Sequence, residues 1–389
     1  MKNTARSETV PHNGSSAVRM PVGPVTTTFV LGAGFSKCAD LPLQADFSPL
    51  MLSDEFATPL DKVITRALKQ FLREVFGWRP GRELPSLEDI FTCIDLATAT
   101  GHHLGIKYTP KCLRAIRRMA VYRIFAVLDR QFTYSPEIQR LLEVFCPAGV
   151  PPRAGFVVLN WDTVLERHLL QANPAAVIDY CCPCADWSRP AAPPPAGGIP
   201  VCKIHGSSNW VYCDNCKSLF FDLDKKLSLQ TKAGLVKSDF RLFDDKFTGR
   251  QFASALGMPA HERECRFCGY VVSSHIATFS YRKSFRTPAY SAIWFQAEKL
   301  LARSDRWVFI GYSLPEADYE LKHLLKAAQL QLAHQRKGGR RLRIEVIMQG
   351  DEPTRKKFER FFGAEALDFF EGGLAEYVAK HTAPAAGKA

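Results

Sequence analysis

Apolar positions in this chain fall into short continuous runs separated by longer stretches with helical spacing. The run TTTFVL over 26–31 is β-branched and aromatic throughout and predicts a buried strand. Over 47–76 apolar residues recur every three or four positions, the mark of an amphipathic helix. A second helical stretch, 86–99, opens with Ser86 at the cap and Asp89 in the first turn, and a third covers 111–132. A strand over 156–159 leads into a helix over 162–170, and another strand covers 201–204. The last third reads as helix 290–302, strand 306–310, helix 318–332 and strand 342–348. Strands that alternate with helices pair in parallel through right-handed crossovers. The expected fold class is therefore α/β, a Rossmann-like doubly wound parallel sheet.

The same pass divides the chain. Residues 1–25 are polar, carry Pro11, Pro21 and Pro24, and are expected to form a disordered arm. The main domain is expected over 26–350, with a helical insertion at 47–150 and a small cysteine-bracketed satellite at 211–270. A helical segment and flexible tail are expected over 351–389. The proline- and glycine-rich stretch 183–200 reads as a surface loop. There is no internal repeat.

Composition narrows the class. A length of 389 residues, with 46% hydrophobic and 23% charged positions, supplies a substantial core and excludes wholesale disorder. No apolar run approaches the ~18 residues of a membrane helix, and the arm lacks the roughly 7–15-residue apolar segment of a secretory signal. A cytoplasmic protein is expected. In that reducing compartment twelve cysteines point to metal ligation or buried thiols rather than disulfides. The formal charge of +12 suits a polyanion partner and equally an anionic nucleotide, so it does not choose between them. The basic stretch 336–343 reads as a solvated loop.

Candidate chemistry sits at the ends of strands, where ligands bind in doubly wound sheets. Gly32-Ala33-Gly34-Phe35-Ser36 follows the first strand; glycines there let backbone approach a pyrophosphate, though the segment alone is equally a tight turn. Asn160 and Asp162 follow the second strand, where they can meet a ligand, turn the chain or cap the next helix. His205 is delivered by the strand over 201–204 and stands beside Gly206; an imidazole there can take a proton from a hydroxyl or water, or serve the fold alone. Gly311-Tyr312-Ser313 ends the strand over 306–310.

The most specific local pattern is Cys213-x-x-Cys216 with Cys265-x-x-Cys268. Two such knuckles supply four thiolates to a tetrahedral Zn²⁺ and leave no open position, so the metal is expected to be structural. The segment between Cys216 and Cys265 is longer than the ~15–20 residues of an ordinary ribbon and reads as an insertion. Cys181, Cys182 and Cys184 form a further cluster near Cys202 that reads as incidental thiols first, with a second metal site or ligand exchange with the first as the alternative.

The ordered set LGAGFS, LNWDTVLE, KIHGSSNW, paired knuckles and FIGYSLPEAD resembles the sirtuin fold family (sirtuin/DHS-like), and in wording its bacterial SIR2-like branch, over about 26–350. The resemblance implies an NAD pocket between a Rossmann-like domain and a smaller zinc-bearing one. Gly32, Ala33, Gly34, Phe35 and Ser36 would hold the cofactor, with Gly311, Tyr312 and Ser313 further along it. Asn160 and Asp162 would face the nicotinamide ribose, and His205 would be the base. The chain departs from the deacylase pattern: Ala39-Asp40-Leu41-Pro42-Leu43-Gln44 lacks the family's aromatic and arginine, and Tyr270-Val271-Val272 stands in place of an F-G-E strand. Gln349 replaces an expected asparagine, which leaves the adenosine contact unassigned.

The expected activity is hydrolysis of NAD⁺ at the nicotinamide–ribose bond, in an effector of antiphage defence. The alternatives are an NAD-dependent protein deacylase, a non-catalytic NAD or ADP-ribose sensor, and a basic DNA-binding protein with a zinc knuckle. Expected partners are NAD⁺ and a second copy or a regulatory protein, with nucleic acid reached through a partner or the basic surface and no membrane.

Overall fold

The computed structural model describes residues 25–53, 58–192, 197–240, 263–274, 276, 288–316, 318–335, 342–364 and 367–382. Residues 1–24 of the arm, most of the basic stretch and the tail from 383 lie outside the described residues.

Strand β1 (Thr27–Leu31) is buried at every position, the continuous pattern of a strand covered on both faces. It pairs in parallel with β2 (Ala154–Val158) on one side and β9 (Arg306–Ile310) on the other. With β3 (Ile178–Asp179), β5 (Ile199–Lys203), β10 (Arg343–Ile347) and β11 (Leu367–Phe370) they form a seven-stranded sheet in the order β11-β10-β9-β1-β2-β5-β3. The chain thus winds outward from β1 in both directions. Ligands of doubly wound sheets generally bind where the two directions part, which in this sheet falls between β1 and β9.

Among the described residues, five helices separate β1 from β2 after the short helix α1 (Ala33–Lys37). They are α2 (Gln44–Leu52), α3 (Pro59–Phe76), α4 (Leu87–Thr100), α5 (Pro110–Arg130) and α6 (Pro136–Phe145). Three of them start alike: Thr58, Thr109 and Ser135 accept a bond from a first-turn amide and a proline follows directly. A side-chain acceptor satisfies an orphan amide, and proline at the first helical position has no amide to satisfy. Phe29 on β1 stacks with Phe156 and meets Phe145 of α6 edge-on, which ties this layer to the sheet. Truncating such a fully buried ring costs about 3–5 kcal/mol.

Helix α7 (Val164–Ala172) follows β2. A second, four-stranded sheet joins β4 (Ala185–Asp186), β7 (Leu219–Phe221), β6 (Trp210–Cys213) and β8 (Val272–Ser273), with α8 (Leu229–Ala233) and α9 (Lys237–Phe240) nearby in the chain. It has a hydrophobic cluster of its own around Trp187, Val211, Phe220 and Val272. The main sheet is completed through α10 (Pro288–Arg303), α11 (Tyr319–Gln335), α12 (Glu352–Phe362) and α13 (Gly373–Thr382).

The structure departs from the sequence reading in three places. The stretch 47–76 is two helices rather than one, and α6 and β3 had no counterpart. The segment 351–389 has the pattern of a helix and tail, yet Leu367–Phe370 pairs with β10 and extends the sheet. Four residues carrying one charge leave too short a pattern to announce an edge strand.

Candidate active site

Register brings the motifs together. Leu31, the last residue of β1, pairs with Val158 and Ile310, and Val158 pairs with Lys203. The four loops that follow therefore leave the same edge side by side. With strands ~4.8 Å apart, the outermost two, after β9 and β5, start roughly 14 Å from each other.

The loops after β9 and β1 are in backbone contact. Gly34 N donates to Gly311 O at 2.9 Å, and Gly32 N to Ile310 O at 3.0 Å. A Cβ on Gly311 would lie 2.3 Å from Gly34 Cα, and one on Gly34 would lie 2.6 Å from Gly311 Cα. Gly311 also has φ +62°, a conformation that L side chains rarely adopt. Phe35 is buried, so its ring belongs to the core and only its backbone lies in the turn. Tyr312 is buried too, and its hydroxyl donates to Asp318 Oδ2 at 3.0 Å. Burial, and then the charge of Asp318, push the phenol well above its ordinary range, so it stays a neutral donor. Ser313 is exposed at the end of the turn.

The loops after β1 and β2 are joined by side chains. Asn160 Nδ2 donates to Gly32 O and to Ser36 Oγ, each at 2.8 Å. Ser36 in turn donates to Asp162 Oδ2 at 2.7 Å. The other carboxylate oxygen of Asp162 accepts Val164 N at 2.9 Å, an Asx turn that opens α7. Asp162 is thus committed on both oxygens to shaping the turn, with its charge buried beneath Ser36.

The loops after β2 and β5 meet next. His205 Nδ1 donates to Leu159 O at 3.0 Å, and Ser208 N to Trp161 O at 2.7 Å. A carbonyl can only accept, so this bond fixes the proton of a neutral His205 on Nδ1 and makes Nε2 the basic nitrogen. Trp294 of α10 donates to Ile204 O at 3.1 Å and sets its ring 6.4 Å from the His205 ring, which is half-buried. Nothing in the sequence singled out Trp294, one aromatic within a helical pattern.

The four knuckle cysteines also assemble. Their sulfurs all lie within 4.8 Å of one another, with Cys213–Cys268 and Cys216–Cys265 each at 3.5 Å. A tetrahedron of Zn–S bonds of ~2.3 Å has edges of roughly 3.8 Å, so the set fits zinc. Both knuckles share one backbone form: Cys213 N donates to Ser218 O and Cys265 N to Tyr270 O, and the residue after each second cysteine, Lys217 or Gly269, has positive φ. Such a four-sulfur site would tie β6 to the β8 end of the satellite sheet and offers no position for a reacting water.

Two side chains that the sequence reading passed over lie beneath these loops. Lys203 on β5 and Glu166 on α7 are both fully buried and 3.3 Å apart. A lysine inside an otherwise apolar strand, two residues before His205, was the available signal. A cleft of about 340 Å³ lies beyond them, lined by Phe125, Phe132, Thr163, Asn209, Lys225 and Lys232 among others and not by Asn160 or His205. No helix among the described residues is long and apolar enough to cross a membrane.

No family model and no curated protein matches the chain. Similar solved structures include a Sir2 homolog–NAD complex, 14% identical, covering 92% of this chain and 88% of that one with a TM-score of 0.43. Sir2 with p53 peptide and NAD⁺ is 14% identical and covers 92% of both chains with a TM-score of 0.41. Sir2Tm bound to a propionylated peptide is 12% identical over 92% of both, with a TM-score of 0.39.

Proposed function

We propose that the chain is an NAD⁺ hydrolase that cleaves the bond between nicotinamide and ribose. The observation that carries this reading is the Asn160 amide, fixed to the first glycine turn through Gly32 and Ser36, in the loop after β2 and next to the loop after the adjacent strand β5 that bears His205.

Nicotinamide in NAD⁺ is cationic and leaves as a neutral molecule, so the site needs no strong acid. It must hold the sugar while positive charge develops at C1′ and must position a water. Both Nδ2 hydrogens of Asn160 are engaged on the loop, so the group it presents is Oδ1, an acceptor for a ribose hydroxyl or the attacking water. The buried Asp162 carboxylate adds negative potential through Ser36. As the C1′–N bond breaks, water forms the new C1′–O bond and His205 Nε2 receives its proton. The products are ADP-ribose, nicotinamide and a proton.

In this reading the backbone of Gly32, Ala33, Gly34, Phe35 and Ser36 approaches the pyrophosphate, while Gly311, Tyr312 and Ser313 line the path toward the adenosine. Zinc held by Cys213, Cys216, Cys265 and Cys268 fixes the satellite module and takes no part in bond cleavage. Destruction of a central cofactor requires a resting state, which fits a cytoplasmic antiphage effector released by self-assembly or a partner protein.

The test is product analysis after incubation with NAD⁺, with and without an acylated peptide. Equal release of nicotinamide and ADP-ribose without peptide supports hydrolysis. Release that requires peptide and yields acyl-ADP-ribose makes the protein a deacylase. Binding without any release makes it a sensor.

A further inference from the structure

Lys203 and Glu166 are a fully buried ion pair that the proposed chemistry does not use. Removing two charges from water is expensive, and an apolar pair of the same volume often stabilises a fold as well or better. The partners of this pair indicate what it does beyond stability. Lys203 Nζ also donates to the backbone oxygen of Asp162. Glu166 Oε1 accepts from the Tyr180 hydroxyl at 3.3 Å, and Asn209 Nδ2 donates to that hydroxyl at 3.0 Å. Burial and the neighbouring Glu166 keep Tyr180 protonated. One polar chain therefore runs from the turn that holds Asn160 and Asp162, through β5 and α7, to Asn209 on the loop that begins with His205.

We propose that Lys203, braced by Glu166, is a positioning residue that clamps the Asn160–Asp162 turn to the strand carrying His205, so that amide and imidazole keep one fixed relation. The inference rests on the proposed hydrolase site for its kinetic consequence only. Lys203 contacts no reacting atom; it acts through the Asp162 carbonyl.

The test compares wild type, Lys203→Met and Lys203→Met/Glu166→Gln by thermal midpoint, ligand-free hydrogen exchange and nicotinamide release. The single variant strands a buried carboxylate and is expected to melt early. The double variant is neutral and nearly isosteric, and its midpoint is expected within about 3 °C of wild type. Exchange over 159–164 and 204–208 is nevertheless expected to rise about tenfold in it, while β9 and β10 stay protected. Its kcat is expected to fall about tenfold with KM for NAD⁺ little changed.

A double variant with wild-type exchange and turnover would overturn the clamp and leave the pair a packing element. A double variant that cannot fold would overturn it as well. If wild type releases no nicotinamide, the hydrolase reading fails, and the ligand-free exchange alone decides the clamp.

Discussion

Asn160 and Ser36 stand 124 positions apart in the chain, yet the amide of one donates to the hydroxyl of the other at 2.8 Å. Ser36 accepts that bond and donates its own hydrogen to Asp162, so a single hydroxyl couples the first glycine turn to the turn after β2. Only a group that is both donor and acceptor fills this position.

Ser36→Ala is therefore expected to be costly out of proportion to its size. It leaves Asp162 Oδ2 and one Asn160 hydrogen without their partner in a buried place, a loss of about 1–3 kcal/mol. Nicotinamide release is expected to drop about tenfold or more, since Asn160 loses one of two anchors. Thermal denaturation and initial-rate kinetics on Ser36→Ala and Ser36→Thr check this, with the threonine retaining more of both.

The contact between the two glycine turns gives a second expectation. Gly311→Ala puts a methyl 2.3 Å from Gly34 Cα at positive φ, whereas Gly77→Ala has a similar φ of +64° and nothing within 4 Å. The second change should cost about 1 kcal/mol from backbone strain alone. The first should cost well over 2 kcal/mol or prevent folding, because two backbones must separate. Chemical denaturation of both variants measures the difference.

Much of this arrangement was legible in the sequence because strand-end chemistry is local. GAGFS, LNWD, HGS and GYS each follow a short apolar run, and parallel pairing then places strand ends on one edge. The knuckles were legible from spacing. Which atoms meet was not: the Asn160 amide nitrogen held by Gly32 and Ser36, and Asp162 turning inward to Ser36, depend on contacts between loops more than a hundred residues apart. Lys203 stood out only as a charge inside an apolar strand, and the partner that explains its burial, Glu166, lies on a different element. The edge strand β11 escaped because Leu367–Phe370 is too short to carry a period.

Metal analysis tests the satellite module. The protein purified without chelator is expected to carry a single zinc ion per chain, and Cys265→Ser is expected to lose it. Chelation should free four thiols and loosen the face of the β4-β7-β6-β8 sheet built on Trp187, Val211, Phe220 and Val272, while Trp210, Tyr212 and Leu219, which pack into the main core, and the seven-stranded sheet stay ordered. Thiol titration alongside circular dichroism reads both events.

His168 sets an acid limit on stability. Its ring is fully buried, Nδ1 donates to Val164 O and Nε2 accepts Ser135 N, so the fold requires the neutral form. Burial pushes its pKa below the usual 6.5, and the nearby Arg167 charge pushes the same way. With the folded value lowered, its contribution is complete above about pH 6.5 and declines as pH falls, because the unfolded chain takes up a proton that the folded chain refuses. The thermal midpoint of wild type should fall between about pH 7 and 5, and His168→Gln should flatten that dependence.

The most direct measurement is a crystal structure of the chain with ADP-ribose. The pyrophosphate is expected on the turn formed by Gly32 to Ser36 and the distal ribose between Asn160 Oδ1 and His205 Nε2. A nucleotide seated elsewhere, in the cleft by Phe125 and Lys232 or along Lys62, Arg66 and Arg73 of α3, would contradict it.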